Sequence, residues 1–395
     1  MKKLVLAYSG GLDTSYCAMY LAKKEKFEVH AVSINTGGFT IEDLKDLEFK
    51  AEKLGVTTYK NIDAIDKYYD KVIKYLIFGN VLKNNTYPLS VSAERIIQAL
   101  EIIEYAKSID AKFIAHGSTG AGNDQVRFDL IFQILAPEVT IITPIRDNAL
   151  SRQNEIDFLH EYNIHIPWEK AKYSINKGLW GTSIGGDETL TSNIPLPEEA
   201  YPSQLKSTRE ISLILNFKKG ELTAINDDFD TSENLIVKLN TIGSEYAIGR
   251  NMHIGDTILG IKGRIGFEAA AATIIIQAHH LLEKHTLTKW QLQHKDYIAK
   301  WYGTHLHEGM YLEPVMRDIE AMLTNSQEKV SGKVFVTLKP YHFLLDGITS
   351  PHDLLQSDFG SYGEVNKEWD ANDAKGFIKI YGNQSKIYQN INGHD

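Results

Sequence analysis

An apolar run at residues 4–7 leads into Ser9-Gly10-Gly11, and Asp13, Thr14 and Ser15 then open an amphipathic segment through Tyr16, Met19 and Tyr20. The apolar run reads as a strand bounded by a turn. The glycine pair supplies a turn that a side chain would obstruct, and Asp, Thr and Ser are natural openers of a helix. Strand, glycine turn and helix start together aim backbone N–H groups, at the positive end of a helix dipole, toward an anion.

The pattern then repeats. Strand-like segments at 3–8, 28–35, 57–63, 112–116 and 139–143 alternate with helix-like segments at 14–24, 41–54, 65–78, 93–108, 124–135 and 151–161. Such alternation predicts an α/β fold, an N-terminal parallel sheet with helices on both faces (Rossmann-like) over residues 1–165. Ligands of such sheets bind beyond the carboxyl ends of the strands. Ser9, Asn35 and His116 all sit at such ends and are expected to converge on one crevice. Residues 166–204 carry glycines at 178, 181, 185 and 186 and prolines at 195, 197 and 202, and read as the crossing into a second domain. That domain, 166–372, reads as α+β. It has a hairpin at 211–217 and 222–225, helices near 232–246, 268–284, 290–301 and 313–323, and a strand pair at 332–338 and 342–345. A tail at 373–395 has a weak helical pattern and is expected to contact another subunit.

Composition narrows the function. Across 395 residues the net charge is −9 with both signs mixed, which argues against a nucleic-acid surface. Cys17 is the single cysteine, which excludes a disulfide frame, a Cys₄ zinc site and a two-cysteine redox pair, and predicts a reducing cytoplasm. Met1-Lys2-Lys3 leads straight into a strand, without a signal core. The longest apolar run, 269–276, is far short of a membrane span. His279, His280, Glu283 and His285 look metal-like, but their order is not that of a zinc helix and their neighbours are apolar, so no protein-held metal is expected. Trp290, Trp301 and Tyr302 are expected to pack between helices or subunits.

A second string follows the strand-like segment at 112–116: His116-Gly117-Ser118-Thr119-Gly120-Ala121-Gly122-Asn123-Asp124-Gln125-Val126-Arg127. Its glycines allow a ligand to approach the backbone. Asn123, Asp124 and Arg127 fall on one helical face at i, i+1 and i+4. Arg127 can fork to a carboxylate, Asp124 can accept from an ammonium, and Thr119 and Asn123 can donate or accept. That set suits an amino acid carrying both charges.

No Lys lies between Lys3 and Lys23, which excludes a Walker A loop, and adjacent glycines exclude the dinucleotide fingerprint. The remaining pattern, S-G-G-x-D-[ST]-S, resembles the ATP-pyrophosphatase (PP-loop) enzymes, which cleave ATP between the α and β phosphates. With His-Gly-x-Thr-Gly-x-Gly-Asn-Asp-Gln-Val-Arg-Phe at 116–128, Leu-Ala-Pro at 135–137 and a weaker Asp-Ala-x-Gly-Phe-Ile at 373–378, the chain closely resembles the argininosuccinate synthase family nearly end to end.

The resemblance implies an AMP-forming ligase. The ureido oxygen of citrulline attacks the α phosphorus of ATP, supplied with Mg²⁺, and the aspartate amine then displaces AMP. ATP would lie along Ala7, Tyr8, Ser9, Gly10, Gly11, Leu12, Asp13, Thr14 and Ser15, beside Ile34 and against Gly117. Ser9, Asp13, Thr14 and Ser15 would serve the departing pyrophosphate, with Asp13 either holding the loop or approaching Mg²⁺. Thr119, Asn123 and Asp124 match aspartate positions; Tyr87, Ser92, Asn123, Arg127, Ser174 and Ser183 match citrulline positions. A homotetramer is implied, without nucleic-acid or membrane partners.

Two positions depart from the family pattern. Where the family carries a Glu and a Tyr toward citrulline, this chain has Gly255 and Phe267. Either Asp256 or Glu268 substitutes, or the acceptor is an N-acylated citrulline. Another PP-loop ligase and a non-catalytic nucleotide sensor are the rival readings. A glutaminase partner would need Cys at position 2, where Lys2 stands, and a tRNA ligase should be basic.

Overall fold

The structure, a computed structural model, describes residues 1–165, 172–359 and 367–393. Strands β1 (Lys3–Ala7), β2 (Glu28–Asn35), β3 (Thr58–Asp63), β4 (Phe113–Ala115) and β5 (Thr140–Ile142) pair in parallel in the order β3-β2-β1-β4-β5. Leu4, Val5 and Leu6 are fully buried, as expected of a central parallel strand covered on both faces. The chain builds outward from β1 to β3, then returns to the other side of β1 for β4 and β5. The switch point therefore lies between β1 and β4, where Leu6 pairs with Ala115, and sheets of this kind hold their ligands there.

Beyond residue 171 the glycine-rich crossing is not a spacer. β6 (Ser174–Gly178) and β7 (Gly181–Gly185) form a hairpin. β8 (Ile211–Lys218), β9 (Glu221–Ile225) and β10 (Asp228–Phe229) follow, then β11 (Arg250–Asp256) and β12 (Lys262–Glu268), then β13 (Gly332–Lys339) and β14 (His342–Thr349). Two antiparallel sheets result, β10-β9-β8-β13-β14 and β11-β12-β7-β6. The second was not legible in the sequence, and the helix expected from residue 268 starts only at Ala270 because Glu268 still belongs to β12. Glycines interrupt the alternation of this sheet for a packing reason. A Cβ on Gly181 (φ +135°) would lie 2.6 Å from the Ala269 Cβ, so bulk is excluded there.

Val5, Val32 and Ile114 of the parallel sheet share one hydrophobic core with Leu215, Ile236 and Val336. Leu4, Leu6, Val29 and Ala31, on the opposite face, pack with Cys17, Leu47 and Leu159. Met1–Pro351 forms one compact unit. His352–Asp395 forms a second, with helices Ala371–Tyr381 and Asn383–Asn392. The boundary expected at 165/166 borders residues 166–171, which lie outside the described residues.

The metal-like histidine segment lies on the helix Ala270–Thr286. His279 bridges Asn80 Oδ1 (2.7 Å) and Gln327 Oε1 (2.8 Å). Glu283 accepts from Lys295 Nζ (2.9 Å), Gln327 Nε2 (2.8 Å) and Asn80 Nδ2 (2.5 Å). The polar groups of the segment are thus engaged with one another, and because burial pushes the His279 imidazole down, its single ring N–H serves one of the two amide oxygens. Tyr302 is fully buried, whereas Trp290 and Trp301 are exposed.

Candidate active site

The carboxyl ends of β1 and β4 open a cavity of about 930 Å³, at the upper end of the range for ligand pockets. Gly10 turns the chain at φ +72°, with a Cβ excluded by Leu47. Gly11 precedes the helix Leu12–Met19 and contributes no side-chain cap, leaving first-turn N–H groups for a ligand. Thr14 Oγ1 closes the loop, donating to Gly11 O (3.3 Å) and lying 3.2 Å from Ser9 Oγ. Ala7, Tyr8, Ser9, Gly11, Leu12, Asp13 and Thr14 line the cavity with Ile34 and Gly117. Gly10 sits behind the loop and Ser15 is fully buried, so neither lines it. Asn35 turns inward to accept from Gly37 N (3.0 Å), leaving Ile34 and Thr36 on the wall.

Sequence reasoning missed Glu155, which packs beside Asp13 from the helix Arg152–Glu161. It is only 3 % exposed. Burial, then the neighbouring Asp13 charge, pushes its carboxyl up to about 8. At neutral pH it holds a proton that it can donate to Asp13.

The second loop touches the first. A Cβ on Gly117 would lie 3.1 Å from the Asp13 carbonyl carbon and 3.2 Å from Thr14 Cγ2, so a side chain there would push the two loops apart by a few tenths of an ångström. His116 Nδ1 accepts from Ser118 N (3.2 Å), which leaves Nε2–H to donate to Asp129 (2.8 Å). Gln125 Nε2 donates to the Gly120 (2.6 Å) and Gly122 (3.2 Å) carbonyls and pins the glycine-rich turn. Thr119, Asn123, Asp124 and Arg127 all line the cavity.

Asp124 is clamped between two guanidiniums, by Arg127 Nη1 at 2.7 Å and Arg95 Nε at 2.9 Å. Burial alone would raise its carboxyl, but Arg95 and Arg127 outweigh burial and hold it at about 2. Arg95 Nη1 also donates to Glu94 (2.8 Å), whose other oxygen accepts from Thr36 Oγ1 (2.9 Å). There burial prevails over Arg95 and pushes the Glu94 carboxyl up to about 7. The Arg127 fork, expected to meet a substrate carboxylate, is largely engaged already: Nε donates to His307 O (2.9 Å) and Nη2 lies 3.3 Å from His307 Nδ1. Arg95 and His307 carried no sequence signal; His307 arrives from a helix 180 positions further along the chain.

The far wall comes from the unforeseen sheet. Ser174, Ser183, His253 and Gly255 line the cavity with Tyr87 and Ser92. Asn123 Oδ1 accepts from Ile258 N (2.9 Å), tying the β11–β12 turn to the second loop. Phe267 is buried against Tyr87, with ring centroids 5.4 Å apart, and does not line the cavity. Of the two expected substitutes only Asp256 lines the cavity, where its carboxylate pairs with Lys262 (2.5 Å); Glu268 is held by Arg250 (2.9 Å) outside the cavity wall.

Comparison with known proteins gives a consistent result. Residues 3–165 match the family model described as the arginosuccinate synthase N-terminal HUP domain, and residues 173–388 match the arginosuccinate synthase C-terminal domain. The argininosuccinate synthase of Methanocaldococcus jannaschii is 37% identical over 388 residues, covering 98% of this chain and 97% of the relative. That of Sulfurisphaera tokodaii is 34% identical over 392 residues, covering 98% and 99%. That of Dictyoglomus thermophilum is 35% identical over 390 residues, covering 98% and 97%.

Proposed function

Because the chain belongs to the argininosuccinate synthase family, we propose that its cavity performs adenylation and amine transfer with the residues described above. The enzyme is an AMP-forming carbon–nitrogen ligase of arginine biosynthesis, joining citrulline to aspartate. The ureido oxygen attacks the α phosphorus and pyrophosphate leaves. The aspartate amine then attacks the ureido carbon and AMP leaves. No enzyme nucleophile is needed, so catalysis rests on positioning and electrostatics.

In this reading residues 1–165 supply the nucleotide and aspartate sites, and the acceptor wall joins Tyr87 and Ser92 to Ser174, Ser183, His253 and Gly255. The Ser9–Thr14 loop holds the leaving pyrophosphate through backbone N–H groups and hydroxyls. Asp13, which lines the cavity, is the loop carboxylate that would approach the Mg²⁺ supplied with ATP, an ion that would neutralise charge on the departing pyrophosphate. Asp124, fixed by Arg95 and Arg127, anchors the aspartate ammonium with Thr119 and Asn123. A carboxyl near pKa 2 is too weak a base to take the amine proton, which leaves that task to the phosphate oxygens. The Gly117 approach to Asp13 is the observation that supports the reading, since it brings residues 9–14 and 117–127 together at the switch point. We assign the protein to the cytoplasm on its single buried Cys17. A homotetramer built through the 373–395 tail is supported by the exposed Phe377, Ile378, Ile380 and Tyr381.

The test is ATP turnover with each amino acid omitted in turn. AMP and pyrophosphate are expected, with dependence on aspartate and a ureido acceptor. ADP release, or turnover without aspartate, refutes the reading.

A further inference from the structure

We propose that the acceptor end of this cavity takes N-acylated citrulline at least as well as citrulline, because it offers hydrogen bonds and positive charge but no free carboxylate for an α-ammonium. The proposal rests on the ligase reading above. The wall is made by Tyr87, which ends the turn that starts at Lys83, by His253, Gly255 and Asp256 of β11 and by His307. Asn84 Nδ2 donates to Ile254 O (3.1 Å) and holds the turn against β11. On β11, His253 and Gly255 share the buried face, while Ile254 and Asp256 share the exposed one.

Two buried polar atoms on this wall have no partner: His253 Nδ1 and Ser92 Oγ. His253 is 7 % exposed and stacks on Tyr87 with centroids 5.1 Å apart. Burial, with Lys83 beside it, pushes the His253 imidazole down; burial, Arg127 and Lys83 push that of His307 down to about 3. Both rings are neutral at pH 7, so each has one donor and one acceptor nitrogen. The charged groups that act on the two rings are the cations Lys83 and Arg127, the latter within 3.3 Å of His307 Nδ1. The carboxylates that border this region are engaged elsewhere: Asp124 with Arg95 and Arg127, Glu94 with Arg95 and Thr36, Asp256 with Lys262.

A free α-ammonium would meet like charge here and lose its water without a compensating anion. Acylation removes that charge and creates an amide, whose N–H and C=O match the unpartnered His253 Nδ1 and Ser92 Oγ. The positive charge of Lys83 and Arg127 beside this wall would favour the acceptor's carboxylate, and a second one on a dicarboxylic acyl group.

The experiment compares citrulline, N-acetylcitrulline and N-succinylcitrulline as acceptors for the full chain with ATP and aspartate, reading pyrophosphate release. Values of kcat/KM for either acyl compound equal to or above that of citrulline support the proposal; lower values for both overturn it while leaving the ligase reading intact. Failure of all three acceptors removes the ligase reading itself. His253→Phe keeps the ring on Tyr87 and is expected to raise the KM of the preferred acyl acceptor about tenfold, the worth of one hydrogen bond, without changing the KM for ATP. An unchanged acceptor KM overturns the role of His253. A side chain at Gly255 must displace the His253 ring, its Cβ lying 2.8 Å from Nε2, so Gly255→Glu is compared with Gly255→Gln: the ratio of kcat/KM values is expected to lie about tenfold further toward citrulline in the Glu variant, and equal ratios overturn the charge argument.

Discussion

Lys295 and Glu283 are both sealed from solvent, at 0 % exposure. Besides Glu283, the Lys295 ammonium has the Phe78 carbonyl at 3.0 Å and a half-exposed Asp296 carboxylate at 3.7 Å. Glu283→Gln removes the main counter-charge. It also presents an amide NH₂ to a site where Asn80, Gln327 and Lys295 all donate, so one donor must lose its acceptor. Breaking a buried pair on one side costs about 3–5 kcal/mol. With an unfolding entropy of ~2.1 cal/mol/K per residue over roughly 350 residues, Tm should fall by about 4–7 °C. Calorimetry at pH 7 reads this directly. The double variant Glu283→Leu with Lys295→Met removes both charges and should recover most of the loss. A fall below about 1 °C, or a double variant less stable than the single one, would show that the pair is not sealed as described. A Tm that drops on adding a chelator would mean that the His279–Glu283 group holds a metal after all.

Three further outcomes follow from the cavity. Gly117→Ala pushes a methyl against Asp13 and Thr14 and should raise the KM for ATP about tenfold or more, as one lost charge-assisted contact would; an unchanged KM would separate the two loops functionally. Asp124→Asn leaves Arg95 and Arg127 without their shared anion and should lower kcat/KM for aspartate about 100-fold, near 3 kcal/mol, with the KM for ATP as the internal control. Glu94 ionises near 4.5 when unfolded but at about 7 when folded, so the folded state binds the extra proton between those values. Stability therefore declines as pH rises from about 4.5 through 7, and Glu94→Gln should remove on the order of 3 kcal/mol of that decline in urea unfolding. A variant with the same pH slope as the parent would contradict the assignment.

Local patterns were readable where a residue's role depended on its neighbours in sequence. Leu4–Leu6 sit in a central parallel strand, so an unbroken apolar run announced them, and both glycine loops kept their ligand-facing residues within a few positions. The sheet of β6, β7, β11 and β12 was hidden because Gly178, Gly181, Gly255, Gly263 and Gly266 break its alternation, and tertiary packing, not propensity, demands glycine at Gly181 and Gly266. Arg127 shows the limit from the other side. Its place on the Asn123–Asp124 helix face was legible, but its engagement by His307 depends on a helix that no local pattern connects to it.

The apolar interior that joins Val5 and Ile114 to Leu215 and Val336 has a consequence for how the gene product can be divided. A fragment stopping near residue 165 would keep the helix Glu94–Ser108 over its sheet but would bare Leu76, Ile77 and Phe78 of the helix Lys74–Phe78, which packs against Ala270–Thr286, Val315–Ser326 and β9, and so should be recovered as aggregate, not as a free nucleotide-binding module. Chimeras with relatives inherit the same constraint: exchanging either half imports a foreign mating face. Swaps confined to the β11–β12 hairpin leave Val5, Ile114, Leu215 and Val336 in place, and that hairpin is the segment through which acceptor preference can be altered independently of folding.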